Sequence, residues 1–412
     1  MTSRTPSSPS SVRAKRRSAP VVIDAPADPQ SPPARPMPTP PTPPSTSPAK
    51  DTKIRTIDLG TIEDLRILNE DGVADPALDP NLPRAELLRI HRAMVLTRKL
   101  DQRMLMMQRQ GQMGTFAPGL GQEATQIGQV YPLTKADWFA PSYRSFGAQL
   151  WRGWPMDQLL LLWDGYFEGF APPPEVNDLP FSIVIGSHVP TATGIAMGMN
   201  IRGAKDCVVV NFGDGASSQG IVSEAMNFAA VYKAPVVFVI ENNGWAISMP
   251  ACQQAAVTEL ARRGPAFGIP AMRVDGNDIL AMIVACKRAA DHARSGNGPF
   301  LIEAVTYRMS VHTTADDPKV YRDEAEVQAW EKKCPIARFE KYLIAKKMLT
   351  PKDCERLAQE CEQDVLDARE KFRARAIPNP REVFDYVWAN PSPEHEAQKR
   401  EYLAKLDRKG VE

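Results

Sequence analysis

The chain has 412 residues, 43% of them hydrophobic, which is enough for a substantial core in one large domain or two average ones. Lysine plus arginine number 50 against 49 acids, a formal net charge of +1, so nothing electrostatic points to a nucleic-acid or anionic-membrane partner. No apolar run approaches the ~20 residues of a membrane helix, and six scattered cysteines without a C-x-x-C pair, with no H-E-x-x-H, argue against a disulfide framework or a zinc site.

Residues 1–52 are dominated by proline, serine and threonine, as in PMPTPPTPPSTSP, and are expected to form a disordered tail. The opening is rich in arginine and serine like a transit peptide but has no apolar residues at helical spacing. A flexible bacterial tail on a cytoplasmic protein is therefore expected, with the mitochondrial matrix second. The folded part is expected to begin near Thr56, with an α/β domain over 53–322 and a helical extension over 323–412. From Arg84 to Gly111 the spacing predicts a long amphipathic helix ended by glycine, with Leu88, Met94, Leu100 and Met104 to Met107 as core or subunit contacts. From Ser182 to Arg308 short apolar runs alternate with helical segments. FSIVIGS precedes a small-residue helix through Met199; CVVVNF precedes a helix from Ser217 to Tyr232; VVFVIEN, MRVDG and FLIEAVTYR follow. Runs apolar on both faces suit a parallel sheet covered by helices. After Asp323 the chain reads as charged helix, broken at IPNPREV.

The chemistry concentrates between Cys207 and Trp245. One apolar run stops at Gly213-Asp214-Gly215-Ala216-Ser217 and opens a helix; the next stops at Glu241-Asn242-Asn243-Gly244-Trp245. Carboxyl ends of neighbouring parallel strands share one edge, where ligands bind, so Asp214 and Asn243 are expected to meet across 29 positions of chain. Glycines and a helix N-terminus suit phosphate, yet Asp214 would repel it. A divalent cation between them removes the conflict: Asp214, the Asn243 amide oxygen and the Trp245 carbonyl give magnesium three oxygens and leave room for phosphate and water. Two other readings stand. Gly213-x-Gly215-x-x-Ser218 is a dinucleotide fingerprint lacking its third glycine, with Glu241 as the ribose-binding acid. An ordinary strand–turn–helix with no ligand, in a scaffold whose Pro-rich tail recruits partners, accounts for either feature singly.

Gly213-Asp214-Gly215 followed by Asn242-Asn243 resembles the thiamine-diphosphate motif. From about residue 56 to about 390 the chain resembles the alpha subunits of thiamine-diphosphate-dependent 2-oxo acid dehydrogenases. The shared features are Gly121-Gln122-Glu123-Ala124, Tyr143-Arg144, the turn from Ile183 to Pro190, the NNxxAIS segment from Asn242 to Ser248, and the histidine-led loop from His312 to Arg322. The resemblance implies a thiamine-diphosphate-binding fold with helical N- and C-terminal extensions. It also implies Mg2+ held by Asp214, Asn243 and Trp245; cofactor contacts from Tyr143, Arg144, Ile183, Ile185, Gly213, Gly215, Ala216 and His312; and His312 as the active-site histidine. FEGFAPPP lacks the histidine that related chains place near Glu168, some relatives carry arginine where this chain has Glu241, and Thr313 replaces the phosphorylated serine of animal homologues.

The implied reaction is decarboxylation of a 2-oxo acid and reductive acylation of lipoamide. Pyruvate is the expected substrate and 3-methyl-2-oxobutanoate the alternative. With only one α/β pattern present, half a site is expected. A beta subunit in an alpha2-beta2 heterotetramer would complete it, docked on a dihydrolipoyl acyltransferase core.

Overall fold

The computed structural model describes residues 60–375 and 379–410. The expected tail and the expected start near Thr56 lie outside the described residues. Seven strands form one parallel sheet: β1 (Glu63–Leu65), β2 (Trp138–Ala140), β3 (Asn177–Asp178), β4 (Val208–Gly213), β5 (Val236–Asn242), β8 (Ala271–Asp275) and β9 (Phe300–Val305). Their order is β1-β8-β9-β5-β4-β2-β3, and β6 (Trp245–Ala246) pairs with β7 (Met249–Pro250) as a separate antiparallel ribbon. Helices flank the sheet: α1 (Arg84–Arg109), α2 (Glu123–Val130), α3 (Phe146–Trp151), α4 (Met156–Trp163), α5 (His188–Arg202), α6 (Asp214–Ser217) and α7 (Gly220–Val231). They continue with α8 (Ala251–Gln254), α9 (Arg263–Ala266), α10 (Ile279–His292), α11 (Glu324–Glu331), α12 (Pro335–Ala345), α13 (Pro351–Arg373) and α14 (Pro393–Arg408).

The two central strands show why the apolar runs are continuous. Side chains alternate across a strand, and here both faces are covered. Val209, Val237 and Val239 pack in one core with α1, α2, α10 and α12, whereas Val208, Val210, Phe212, Val236, Phe238 and Ile240 pack in a second with α5 and α7. Phe238→Ala is expected to cost about 3–5 kcal/mol of stability, read as a lowered denaturant midpoint; a change below about 1 kcal/mol would place this ring outside the core.

Helix α1 begins after Pro83, carries Glu86 in its first turn and Arg109 in its last, and gives way to Gly111 at φ +69°, as dipole and left-handed termination favour. Its inward stripe is Leu87, Ile90, Met94, Leu100, Met104 and Met107; Leu88 is only half-buried and Met106 is exposed, against expectation. The helix expected over Ser217–Tyr232 is two, broken between Ser217 and Gly220. FSIVIGS is not a strand. It is a turn over Gly186 (φ +81°) that leaves Ile183, Val184 and Ile185 exposed, because the edge beside β2 is already taken by β3. The C-terminal helices share the main core: Ile336, Phe339 and Leu343 of α12 and Cys361 of α13 pack with α1. The His91 Nε2–Glu340 Oε1 contact at 2.9 Å ties α1 to α12, and Cys354 joins them in a group whose ligand-type atoms lie within 4.8 Å of one another. All six cysteines are free thiols.

Candidate active site

Strand β2 sends the chain outward to β3, while β4 sends it the opposite way to β5. A crevice opens between carboxyl ends where neighbouring connections diverge. There lies a cavity of about 390 Å3, within the range of small-molecule and cofactor sites. The register pairs Gly213 with Glu241, so the residues just beyond, Asp214 and Asn243, face the same space. Of the residues expected at the site, Tyr143, Arg144, Ile185, Gly213, Asp214, Gly215, Ala216, Asn243, Trp245 and His312 all line this cavity; Ile183 does not. Ile183 precedes the Gly186 turn and is 62% exposed, so its side chain is available to something outside this chain.

Asp214 is the first residue of α6 and is 3% exposed. Its Oδ2 is buried without a hydrogen-bond partner among the described residues. Burial pushes the carboxyl up to about 6, against the pull of backbone N–H groups of Gly215 and Asn243 and of the Arg308 charge. Such an orphaned acceptor fits a cation. The two asparagines divide the work: Asn242 donates to Glu303 Oε1 at 2.8 Å inside the core, whereas Asn243 turns to the cavity. Asn243 Nδ2 is 3.4 Å from Gln122 Oε1, and its Oδ1 accepts the Trp245 N–H at 3.3 Å. Gly244 at φ +82° permits that reversal. The Gly121–Ala124 segment thus contributes Gln122 behind Asn243, while Glu123 is clamped by Arg98 through Nε (2.9 Å) and Nη2 (2.7 Å). At Gly215 an added Cβ would stand 2.9 Å from Ala246 Cβ, so this glycine lets the α6 turn close on the β6–β7 ribbon.

Arg144 is 5% exposed; its Nη1 donates to Pro118 O (2.6 Å) and its Nη2 to His312 Nδ1 (2.7 Å) and His312 O (2.9 Å). Arg308 Nη1 stands 3.3 Å from the same Nδ1. Guanidinium groups only donate, so Nδ1 holds a lone pair and the imidazole proton sits on Nε2. Burial, then Arg144 and Arg308, push His312 down to about 4, leaving it neutral at physiological pH. Asp316 Oδ2 pins the loop, accepting the His312 N–H (2.7 Å) and the Tyr321 hydroxyl (2.6 Å). The Tyr143 ring lies edge-on to the imidazole at 6.5 Å.

Arg308 is the residue the motifs missed. It is fully buried and donates to Ile247 O (2.7 Å), Tyr321 Oη (2.9 Å) and, at 3.4 Å, Trp245 O. The available signal was positional: β9 ends beside β5, with Val305 opposite Asn242, so residues just past β9 reach the same rim. Ile247 holds φ +57°, a costly backbone for a β-branched side chain, with its carbonyl held by Arg308. A second cavity of about 330 Å3 lies at the opposite sheet edge, beside Gly203 after α5 and Tyr232 after α7, where helix C-termini disfavour anions.

Residues 91–381 match the family model described as dehydrogenase E1 component. The chain is 42% identical over 337 residues, 81% of its length and 98% of the relative's, to a pyruvate dehydrogenase E1 component subunit alpha of Acholeplasma laidlawii. It is 39% identical over 354 residues, 84% and 95% of the two lengths, to a 3-methyl-2-oxobutanoate dehydrogenase subunit alpha of Mycobacterium tuberculosis. It is 44% identical over 283 residues, 68% and 76%, to a pyruvate dehydrogenase E1 component subunit alpha of Staphylococcus aureus.

Proposed function

Because the chain belongs to the dehydrogenase E1 component family, as the alpha subunit of a thiamine-diphosphate-dependent 2-oxo acid dehydrogenase, we propose that its cavity holds the cofactor's diphosphate through one Mg2+ ion and that its substrate is pyruvate. The observation that carries the reading is the orphaned Asp214 Oδ2 facing the same cavity as Asn243 at adjacent parallel strand ends. Asp214, the Asn243 amide oxygen and the Trp245 carbonyl are the three ligands, a number magnesium commonly takes when phosphate and water complete its octahedron. The α6 N-terminus offers the Gly215 and Ala216 N–H groups to phosphate, and Arg144, whose Nη2 is spent on His312, adds its positive charge beside them. Tyr143 closes the same side, and Ile185 gives an apolar contact.

When bound, thiamine diphosphate supplies a nucleophilic ring carbon and an electron sink for removing carbon dioxide from a 2-oxo acid. The chain's own residues bind and orient. His312, neutral with its proton on Nε2, would offer that N–H to a bound ligand, and its position is set by Arg144, Arg308 and Asp316. The acyl group would pass to a lipoyl disulfide of a dihydrolipoyl acyltransferase core, whose S–S bond breaks to give one thioester and one thiol and so takes up the two electrons.

The beta subunit is the family's partner, and we place this chain in an alpha2-beta2 heterotetramer. Among the described residues no helix is long and apolar enough to cross a membrane; a cytoplasmic location in a bacterium fits the bacterial relatives. Titration of the full chain with thiamine diphosphate is expected to show saturable binding only when Mg2+ is present. Binding of NADH without metal would instead favour the dinucleotide reading.

Pyruvate is preferred because two relatives named for it share 42% and 44% identity with this chain, although the relative named for 3-methyl-2-oxobutanoate is 39% identical over a similar span. With the beta subunit present, kcat/KM is expected to be at least about tenfold higher on pyruvate, the discrimination that extra methyl groups in an apolar pocket provide. Faster turnover of 3-methyl-2-oxobutanoate reverses the assignment.

A further inference from the structure

We infer that Asn211 is a positioning residue for the anion-binding arm, holding the turn that carries Tyr143 and Arg144 through three hydrogen bonds of its side chain. The inference rests on the reading above that this arm meets the diphosphate. Asn211 sits in β4, three residues before Asp214, inside the run Val208-Val209-Val210-Asn211-Phe212. It is fully buried, in a stretch where every other side chain is apolar. An amide there is costly unless its donors and acceptor are satisfied, and all are used. Oδ1 accepts the Ser142 N–H at 2.6 Å; Nδ2 donates to Ser145 Oγ at 2.5 Å and to Glu241 Oε1 at 2.7 Å.

Ser142 and Ser145 are the two ends of one turn, closed by the Ser145 N–H to Ser142 O bond at 3.2 Å and by their hydroxyls at 2.9 Å. Tyr143 and Arg144 are its middle residues, so the turn is gripped at both ends and presents those two side chains to the cavity. Asn211 itself does not line the cavity; it reaches a ligand through the neighbours it holds, first the turn bearing Tyr143 and Arg144 and then Glu241.

The Glu241 end has its own logic. This carboxyl is 2% exposed and lines the cavity beside the proposed diphosphate. Its Oε1 is occupied by two amides, Asn211 Nδ2 and Gln129 Nε2 at 3.0 Å, which hold that oxygen against α2 and β4. Asparagine suits position 211 because it offers an acceptor to one neighbour and donors to two. Leucine would strand the Ser142 N–H, and aspartate would set a second carboxylate against Glu241.

The test uses the full-length chain assembled with its beta subunit, reading thiamine-diphosphate affinity at saturating Mg2+, turnover at saturating cofactor, and the thermal transition. Asn211→Leu is expected to weaken cofactor binding about 10- to 30-fold, as loss of buried hydrogen bonds does, with the loss falling on affinity far more than on saturated turnover. In an Arg144→Ala background the same substitution is expected to change affinity less than about twofold, since residues acting through one another are non-additive. Equal fold-changes in the two backgrounds, or a lowered thermal transition with unchanged affinity, overturn the inference. If Asn211→Leu does not assemble, Ser145→Ala removes one anchor of the turn. It is expected to weaken affinity about 3- to 5-fold with the same collapse beside Arg144→Ala; an unchanged affinity overturns the inference there too. A wild-type assembly that fails to bind thiamine diphosphate would sink the functional reading itself, whereas normal wild-type binding that ignores these substitutions sinks only the role of Asn211.

Discussion

Replacing Asp214 by alanine is expected to abolish metal-dependent binding of thiamine diphosphate while leaving the fold intact. The diphosphate and its cation need a fixed negative group on the protein side, and the cavity offers two carboxylates, Asp214 and Glu241. Glu241 has its Oε1 engaged by Asn211 and Gln129, whereas Asp214 Oδ2 has no partner. Removing one member of a buried charge pair costs about 3–5 kcal/mol, which is roughly two to three and a half orders of magnitude in affinity. The stability sign runs the other way. Burial holds the folded carboxyl at about 6, above its ordinary 3.8, so without metal the ionised group disfavours the folded state as pH rises through that window. Asp214→Ala without cofactor should therefore melt no lower than the wild type at neutral pH. Calorimetric titration with and without Mg2+, paired with thermal melts, reads both. Undiminished Mg2+-dependent binding would remove Asp214 from the metal site.

The second large effect concerns the chain by itself. Purified without a beta subunit, it is expected to show no measurable decarboxylation, with activity restored on adding that partner. On the proposed reading, activation of the cofactor's ring carbon would use a carboxyl group beyond those that hold the diphosphate and its cation. Both carboxylates that line this cavity are spoken for, Asp214 by the proposed cation and Glu241 by its amides. His312 cannot act as that acid in charged form, since two arginines face its Nδ1. That group is therefore expected from the beta subunit, and general acid–base groups are worth about 10²–10⁴ in rate. The rim agrees: Ile183, Val184 and Ile185 are 62%, 69% and 42% exposed, with Ile247 at 58% close by. A run of three exposed branched residues leading to the cavity at Ile185 is expected to be an interaction surface. Robust turnover by the isolated chain would refute the half-site.

Much of this was legible in the amino-acid sequence. VVVNFG and VVFVIEN are apolar on both faces, which suits a covered parallel sheet, and in such a sheet their polar terminations put Asp214 and Asn243 on one edge, as the strand register does. The long helix ending before Gly111 follows from period and termination alone. β1, β2 and β3 were not legible, because two or three residues are too few to show alternation. FSIVIGS differs from its sequence pattern for a related reason: apolar composition signals burial of some kind, and here Ile183, Val184 and Ile185 stay exposed rather than packed on the sheet.

Local sequence thus determined the two central strands and placed Asp214 and Asn243 just beyond their ends, since hydrophobic period and glycine placement act over a few residues. Tertiary structure alone decided that Arg308 and Arg144 converge on one nitrogen of His312 and that Asn211 grips Ser142, Ser145 and Glu241. Apart from Arg308 and His312, those contacts join residues from 30 to 168 positions apart, and no local pattern encodes a proximity that only the assembled sheet and its loops bring about.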